Sequence, residues 1–260
     1  MSLYDGQSGI VLYLYLLAKL TGYDRYLSLA RRGKNYLLRS LLENSDSSES
    51  NGGYVGESSA AFALLAIDAI MDGEGEVDLS LKVLENCEKE LEKVSELDVI
   101  SGVAGLCLIA TQALKISESR IMERLVKRCV DHLLAHADQT QSYLSWRTLD
   151  ETPPLCGVSH GNAGIAMALS AAGTQLGDLS IIQQSIRACE FEKQKFNQTD
   201  RNWPDRRIIR SCEAPVYQVT WCHGAPGIGL SRISMAQHQK TNQKDNEIRT
   251  AAANVASHRQ

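Results

Sequence analysis

Two segments of the sequence place a histidine directly before a pair of glycines, and both could carry chemistry. Residues 159–164 read Ser-His-Gly-Asn-Ala-Gly around His160, and residues 221–227 read Trp-Cys-His-Gly-Ala-Pro-Gly around Cys222 and His223. A histidine can hold or move a proton near neutral pH, and a cysteine beside it can bind a metal ion. Adjacent Cys and His lack the spacing of the common zinc loops, and a lone cysteine is more often a small core residue. Each residue alone therefore keeps a structural interpretation beside the functional one.

These glycine pairs belong to a repeat that runs along the chain. The first glycines of successive pairs are 47 to 63 residues apart, and small and apolar residues at helical spacing follow each pair. One pair alone would indicate only a turn or a close helix approach, whereas five in register indicate a repeating structural unit. An acidic residue, Asp98, precedes the third pair. The five pairs are Gly6/Gly9, Gly53/Gly56, Gly102/Gly105, Gly161/Gly164 and Gly224/Gly227.

Longer, charged segments with amphipathic helical spacing alternate with these apolar helices. They cover residues 24–42, 78–97, 119–138, 178–196 and 245–258. No alternation of period two predicts a sheet. The pattern predicts an all-α fold of about five helical hairpins, arranged as a solenoid or a closed α/α toroid with the apolar helices inside. The predicted inner helices begin after Gly9, Gly56, Gly105, Gly164 and Gly227.

A closed toroid would turn sequence distance into proximity. It would bring Asp98, His160 and Cys222 to one rim and one cavity, whereas a linear solenoid would keep them far apart. The N-terminal ends of the inner helices would meet there, and their N–H groups would favour negative charge. Cys156, four residues before His160, would complete a Cys/His ligand pair, but nothing else recommends it and we interpret it as structural.

Composition narrows the class of protein. The chain has 260 residues, 43% hydrophobic and 22% charged, which is typical of a globular protein with one or two cores. A net charge of −4 leaves no cationic surface for nucleic acid. The longest apolar run, residues 10–18, is too short to cross a membrane, so we expect a cytoplasmic protein. Seven scattered cysteines indicate reduced thiols rather than disulfides.

Four segments together resemble the lanthionine synthetase C-like family, and most closely the C-terminal cyclase region of class II lanthipeptide synthetases. The string Trp-Cys-His-Gly-Ala-Pro-Gly is the specific part of this likeness, while the glycine pairs are specific only as a register. The resemblance extends from residue 3 to about residue 235. Its segments are residues 3–9 (Leu-Tyr-Asp-Gly-Gln-Ser-Gly), 98–105, 159–164 and 221–232, with support from residues 202–205 (Asn-Trp-Pro-Asp).

The resemblance implies a double-layered α/α barrel with a catalytic zinc ion. In that family a cysteine thiolate of a dehydrated precursor peptide adds to dehydroalanine or dehydrobutyrine and forms a thioether ring. Zinc lowers the pKa of the thiol, and a nearby acid protonates the enolate. By this likeness Cys222 is a zinc ligand, His160 the acid/base and Asp98 an active-site aspartate. His223 matches a pocket position beside the zinc ligand.

The sequence departs from the family pattern after Cys222. A second zinc motif, Cys-His-Gly, should follow an outer helix near residues 248–255, but no cysteine follows Cys222. We therefore expect one cyclase domain over residues 1–260 that is cut short at its C-terminus, with a polar and fraying stretch at residues 237–260. Such a chain would bind zinc weakly. The dehydratase region of class II enzymes is also missing, so we expect association with a separate dehydratase or self-association through exposed apolar helices.

Three functions remain open at this point, and with them whether the chain is an enzyme. The first is zinc-assisted lanthionine formation, and the second is a non-catalytic remnant or peptide-binding module of the same fold. The third is a metal-free, glycan-processing α/α toroid, which would need two carboxylates flanking one bond. Asp5 and Asp98 could serve, but the Cys-His-Gly segment would then have no purpose.

Overall fold

A computed structural model describes residues 1–43, 52–207, 215–239 and 245–257. Ten α-helices lie within these residues, and a short 3-10 helix, Leu91–Lys93, follows the fourth. The predicted all-α architecture is thus confirmed at the level of secondary structure. The helices are α1 (Gln7–Thr21), α2 (Asp24–Glu43), α3 (Glu57–Ile70), α4 (Val77–Glu90), α5 (Val103–Ser117), α6 (Arg120–Ala135), α7 (Asn162–Leu176), α8 (Leu179–Lys195), α9 (Ala225–Gln239) and α10 (Asp245–Ser257).

The even-numbered helices coincide with the predicted amphipathic segments, and their ends have local causes. At the start of α8 the Asp178 carboxylate accepts the N–H groups of Ser180 (2.8 Å) and Ile181 (3.4 Å), which is a helix cap. Helix α4 ends at Glu90, earlier than predicted, because the chain tightens there into the 3-10 helix.

One small β-ribbon was not predicted from the sequence. Strands β1 (Asp138–Gln139) and β2 (Leu144–Ser145) pair antiparallel, with Asp138 opposite Ser145. Strands of two residues are too short to show an alternating hydrophobic pattern, so the sequence carries no signal for them. The ribbon packs against α8 through β2.

The first compact unit comprises residues 1–95 and 100–126. Within it α1 pairs with α2 and α3 pairs with α4, while α3 contacts both α1 and α5. Small residues allow the close packing of α3 and α5, since Ala60, Ala104 and Ala110 are completely buried. Helices α3 and α5 are therefore the most buried helices of this unit.

The second compact unit comprises residues 96–99 and the described part of 127–260. Its hairpins are α7 with α8 and α9 with α10, and α7 packs on α9. Two tryptophans are among its largest buried side chains: Trp146 Nε1 donates to the carbonyl of Leu133 at 2.7 Å, and Trp203 Nε1 donates to the carbonyl of Glu192 at 2.9 Å. Their indole N–H groups are thus satisfied inside the core.

Helix α1 corrects the prediction that every helix after a glycine pair is buried. Only Ser8, Val11, Tyr15 and Ala18 are buried in it, and Leu20 is 83% exposed. The physical reason is that α1 packs mainly on α2 and α3, so its opposite face meets no other described helix closely. Of the helices described, none has the combination of length and apolar character that crossing a bilayer requires.

The helix starts also differ from the prediction. Four of the five helices begin directly after the first glycine of their pair rather than after the second. These first glycines are Gly6, Gly102, Gly161 and Gly224. Helix α3 begins after the second glycine of its pair, Gly56, as predicted. The glycines before α1, α5 and α7 are extended residues without a side chain that caps the helix. In these three helices the second glycine of the pair therefore lies in the first helical turn.

The second glycines serve a close backbone approach that recurs along the chain. A Cβ atom at Gly9, Gly164 or Gly227 would lie 2.3, 2.1 or 2.0 Å from the carbonyl oxygen of the residue six positions earlier. No side chain fits at such a distance, so the preceding loop can fold onto the first turn of the helix only where that residue is glycine. This contact accounts for the second glycine in three of the five pairs.

The six cysteines that the structure describes are all present as thiols. Five are buried and Cys222 is partly exposed, while Cys212 lies outside the described residues. Burial raises the pKa of Cys87 and of Cys107 to about 12, so these thiols stay protonated. Burial also raises the pKa of Cys156, which agrees with a structural role.

Replacing Gly164 by alanine tests the close approach. At an open position inside a helix this substitution stabilises by about 0.5–1 kcal/mol, but here the new Cβ would meet the carbonyl of Val158 and the side chain of Val99. We expect the free energy of unfolding, measured by urea denaturation, to fall by about 1–3 kcal/mol. An unchanged or higher stability of Gly164→Ala would contradict the packing described here.

Native-state alkylation tests the burial of the thiols. We expect iodoacetamide to modify Cys222 roughly tenfold faster or more than the five buried cysteines, because buried thiols react only when the structure opens. Peptide mass mapping follows the Cys222 peptide separately from that of Cys212, and Cys222→Ser should remove the fast labelling of the former. Labelling of Cys107 or Cys156 ahead of Cys222 would show that the described core is wrong.

Candidate active site

Asp98 and His160 meet directly although 62 residues separate them in the sequence. His160 Nδ1 lies 2.5 Å from Asp98 Oδ2; the Asp98 side chain is 1% exposed and the His160 side chain 24%. A buried carboxylate on Nδ1 fixes the ring's orientation and favours the tautomer with hydrogen on Nδ1. The other ring nitrogen, Nε2, is then the atom that can accept or donate a proton.

Backbone contacts hold the two loops of this pair together. The Val99 N–H donates to the carbonyl of Ser159 at 3.1 Å, next to the side-chain contact between Asp98 and His160. On the other side, the Thr148 hydroxyl donates to the carbonyl of His160. The imidazole is thus fixed through its ring and through its main chain.

The segment that carries Cys222 is bound to the same loop. The carbonyl oxygen of Cys222 accepts the N–H groups of Val158 (3.2 Å) and Ser159 (3.4 Å). Gly157 makes this approach feasible: its φ is +110°, and a Cβ there would lie 2.4 Å from the Cys222 carbonyl oxygen. The Cys222 sulfur is partly exposed and lies 3.2 Å from the hydroxyl of Thr220.

His223 lies beside His160. The two imidazole rings are stacked with their centroids 6.3 Å apart, and His223 is 2% exposed. Burial lowers the pKa of His223, and the nearby Arg207 lowers it further, while Asp205 opposes both. This environment favours the neutral form of the His223 imidazole.

Asn202 holds the Cys222 segment in shape, a role that the sequence did not reveal. Its Oδ1 accepts the N–H of Ala225 at 2.8 Å, and its Nδ2 donates to the carbonyl of Gln218 at 3.0 Å. These two residues flank Cys222 and His223. In the sequence the Asn-Trp-Pro-Asp string only supports the family resemblance, because sequence alone does not show which backbone groups an asparagine will meet.

Glu192 and Arg232 are two further residues that the sequence did not single out. Both side chains are completely buried, and they form an ion pair at 2.7 Å behind the loop of His160. In the sequence each is one charged residue in a helix, and no pattern distinguishes it from solvated neighbours.

The described residues do not fit a complete zinc site. In the parts of the chain given above, no three His, Cys, Asp or Glu side chains lie close enough together to hold a metal ion. Catalytic zinc ordinarily has three protein ligands and one open position. Cys222 is the one residue that the family likeness offers as a ligand, so no step of the chemistry is derived through zinc.

Known structures share this fold. A structure titled "Nisin cyclase" aligns with 98% of this chain and 69% of its own, at a TM-score of 0.71 and 20% sequence identity. A sugar epimerase from a ruminal bacterium aligns with 96% of this chain and 74% of its own (TM-score 0.59, 14% identity). Cellobiose 2-epimerase from Bacillus thermoamylovorans B4167 gives 96% and 75% (TM-score 0.60, 10% identity). The likeness confirms the predicted α/α toroid class of fold.

Sequence comparison gives the family. No curated protein sequence matches the chain. A family model described as "Lanthionine synthetase C-like protein", however, matches residues 1–260, which is the whole sequence and includes every segment in which the likeness was first noted. The chain belongs to the lanthionine synthetase C-like family.

Proposed function

We propose that this chain promotes thioether ring formation in a dehydrated precursor peptide, the reaction of a lanthipeptide cyclase. The observation that carries the proposal is the pair of Asp98 and His160, in contact at 2.5 Å and hydrogen-bonded through the Ser159 backbone to the Cys222 segment. Family membership and the likeness in fold to a structure titled "Nisin cyclase" support the same class of reaction.

The reaction needs one proton to be moved, and His160 has the geometry to move it. As the sulfur of a peptide cysteine bonds to the β-carbon of a dehydrated residue, the electron pair of the C=C bond shifts to the α-carbon as an enolate. In the proposal His160 Nε2 takes the thiol proton and delivers a proton to that α-carbon. Proton uptake and release balance, so no oxidant, reductant or further co-reactant is required.

Asp98 would assist without exchanging a proton itself. While His160 carries the thiol proton, the buried carboxylate on Nδ1 stabilises the positive ring and keeps Nε2 pointing at the substrate. The low exposure of Asp98 strengthens this interaction because little water competes for it.

Zinc belongs to the proposal through the family alone. Zinc, when bound, would lower the pKa of the incoming thiol. Cys222, partly exposed, is the residue proposed to contact it.

A second function is kept because of one observation. Since the described residues contain no group of three metal ligands, the chain could bind a dehydrated peptide, or a dehydratase partner, without closing rings. The two functions differ in one measurable outcome, namely the loss of the peptide thiol. The resemblance to sugar epimerases is a likeness of fold and does not favour the glycan-processing alternative.

Removing either member of the pair should impair ring closure. With a dehydrated precursor peptide and added zinc, we expect His160→Ala and Asp98→Asn each to slow cyclisation by about 10²- to 10⁴-fold, because proton transfer loses its carrier or the carrier loses its orientation. The rate is followed as loss of peptide thiol, with ring closure verified by tandem mass spectrometry. His136→Gln, at an exposed histidine after α6, is the matched control and should react at the wild-type rate.

Two results would count against this proposal in different ways. Wild-type rates in both variants would remove Asp98 and His160 from the mechanism. A wild-type chain that binds the dehydrated peptide but leaves its thiol intact would favour the non-catalytic binding module instead.

A further inference from the structure

The buried carboxylate of Glu192 joins the two ends of the loop that carries His160. Glu192 lies on α8 and is completely buried. Its Oε1 accepts the N–H of Gly157 at 2.9 Å and the N–H of Ala163 at 3.1 Å. These two residues flank the segment of Val158 to Asn162, so one oxygen atom closes the loop around His160.

The sequence of the loop explains why it needs this outside partner. The residue that precedes α7 is Gly161, which has no side chain to cap the helix, and the N–H groups of the first helical turn have no partner within the helix. Ala163 is in that first turn. Glu192 therefore does for α7 what Asp178 does for α8, but from a neighbouring helix. A carboxylate at a helix N-terminus is also favoured by the helix dipole.

The other oxygen of Glu192 is held by a buried arginine. Arg232 Nη2, on α9, donates to Glu192 Oε2 at 2.7 Å, and Arg232 Nε donates to Glu247 Oε2 on α10 at 2.6 Å. Burial raises the pKa of the Glu192 carboxyl, while Arg232 and the Gly157 N–H oppose this rise. The side chain is thus fixed at both oxygens.

The same residue is connected to the Cys222 segment through its main chain. The carbonyl of Glu192 accepts the indole N–H of Trp203 at 2.9 Å. The backbone N–H of Trp203 donates to Asn202 Oδ1 at 2.8 Å. Asn202 in turn binds the N–H of Ala225, at the far end of the Cys222 segment. Glu192 on α8 is therefore hydrogen-bonded directly to the His160 loop and, through Trp203 and Asn202, to the Cys222 segment.

We infer that Glu192 is a positioning residue for His160: by fixing Gly157 and Ala163 it holds the imidazole in contact with Asp98. The functional part of this inference rests on the proposed role of His160, whereas the geometric part does not. A purely structural Glu192 would contribute to stability but would leave the contact of His160 Nδ1 with Asp98 unchanged. The two roles can therefore be separated by experiment.

Glu192→Gln tests these contacts with little change in size. Both oxygens of the carboxylate accept hydrogen bonds, whereas the amide offers one accepting oxygen and one donating NH₂ group. If its oxygen keeps the Gly157 and Ala163 bonds, its NH₂ group faces the Arg232 donor; if it turns around, the two loop amides lose their acceptor. Ser185→Ala is the matched control. Ser185 lies two turns earlier on α8 and is equally buried, and its hydroxyl donates to the carbonyl of Ile182 in its own helix.

The main readout is the NMR signal of the His160 Nδ1 proton, which requires no substrate. In Glu192→Gln we expect this proton to exchange with solvent roughly tenfold faster or more, since a loosened contact with Asp98 protects it less. Ser185→Ala should give the wild-type exchange rate. Where the wild type closes rings, kcat should fall by about 10- to 100-fold in Glu192→Gln, with KM little changed.

The outcomes are distinct. Wild-type exchange of the His160 Nδ1 proton in a folded Glu192→Gln protein would overturn the inference, even if its stability had dropped. A wild type that closes no rings would defeat the proposed function, and the exchange rate of this proton would still decide the role of Glu192. If Glu192→Gln does not fold, amide hydrogen exchange of the wild type decides: Gly157 and Ala163 should be strongly protected, and rapid exchange at both would disprove the contact.

Discussion

The contact on which the candidate site depends is the carbonyl oxygen of Cys222 against the loop that precedes His160. This oxygen accepts two backbone N–H groups, from Val158 and Ser159, and it can come so close because Gly157 has no side chain. Two loops that lie some 60 residues apart are thereby joined through main-chain atoms. Asp98 is added to the same loop through the Val99 bond to Ser159. Side-chain chemistry at the site is possible because the backbone is joined first.

Much of this arrangement could be predicted from the sequence, because it follows from local rules. Apolar and amphipathic periodicity located the helices, and the glycine pairs located their starts to within one turn. The contact of Asp98 with His160 was anticipated only through the architecture, since a toroid brings successive helix N-termini to one rim. Residue type and repeat register made Asp98, His160 and Cys222 candidates, and the family resemblance gave them their expected roles, but neither showed how their loops are held together.

What the sequence could not show are features that depend on which neighbours are present. Helix α1 has an apolar pattern like those of α3 and α5, yet Leu20 remains exposed because its other face meets no closely packed described helix. Glu192 differs from its pattern in the opposite direction. It is a charged residue in an amphipathic helix, yet it is completely buried, because Arg232, forty residues later, pairs with it. Periodicity describes one helix at a time and contains no information about the partner of a buried charge.

The buried pair of Glu192 and Arg232 is better understood as fixing the position of the His160 loop than as adding stability. Removing two charges from water costs about as much as their attraction returns, so apolar side chains of similar volume often stabilise a core at least as well. Apolar side chains, however, cannot accept two backbone N–H groups from a loop without its own cap. Arg232 makes the burial of the carboxylate tolerable, and the carboxylate then determines where Gly157 and Ala163 must lie. Because His160 lies between them, a charge pair inside the protein sets the position of the imidazole at its edge.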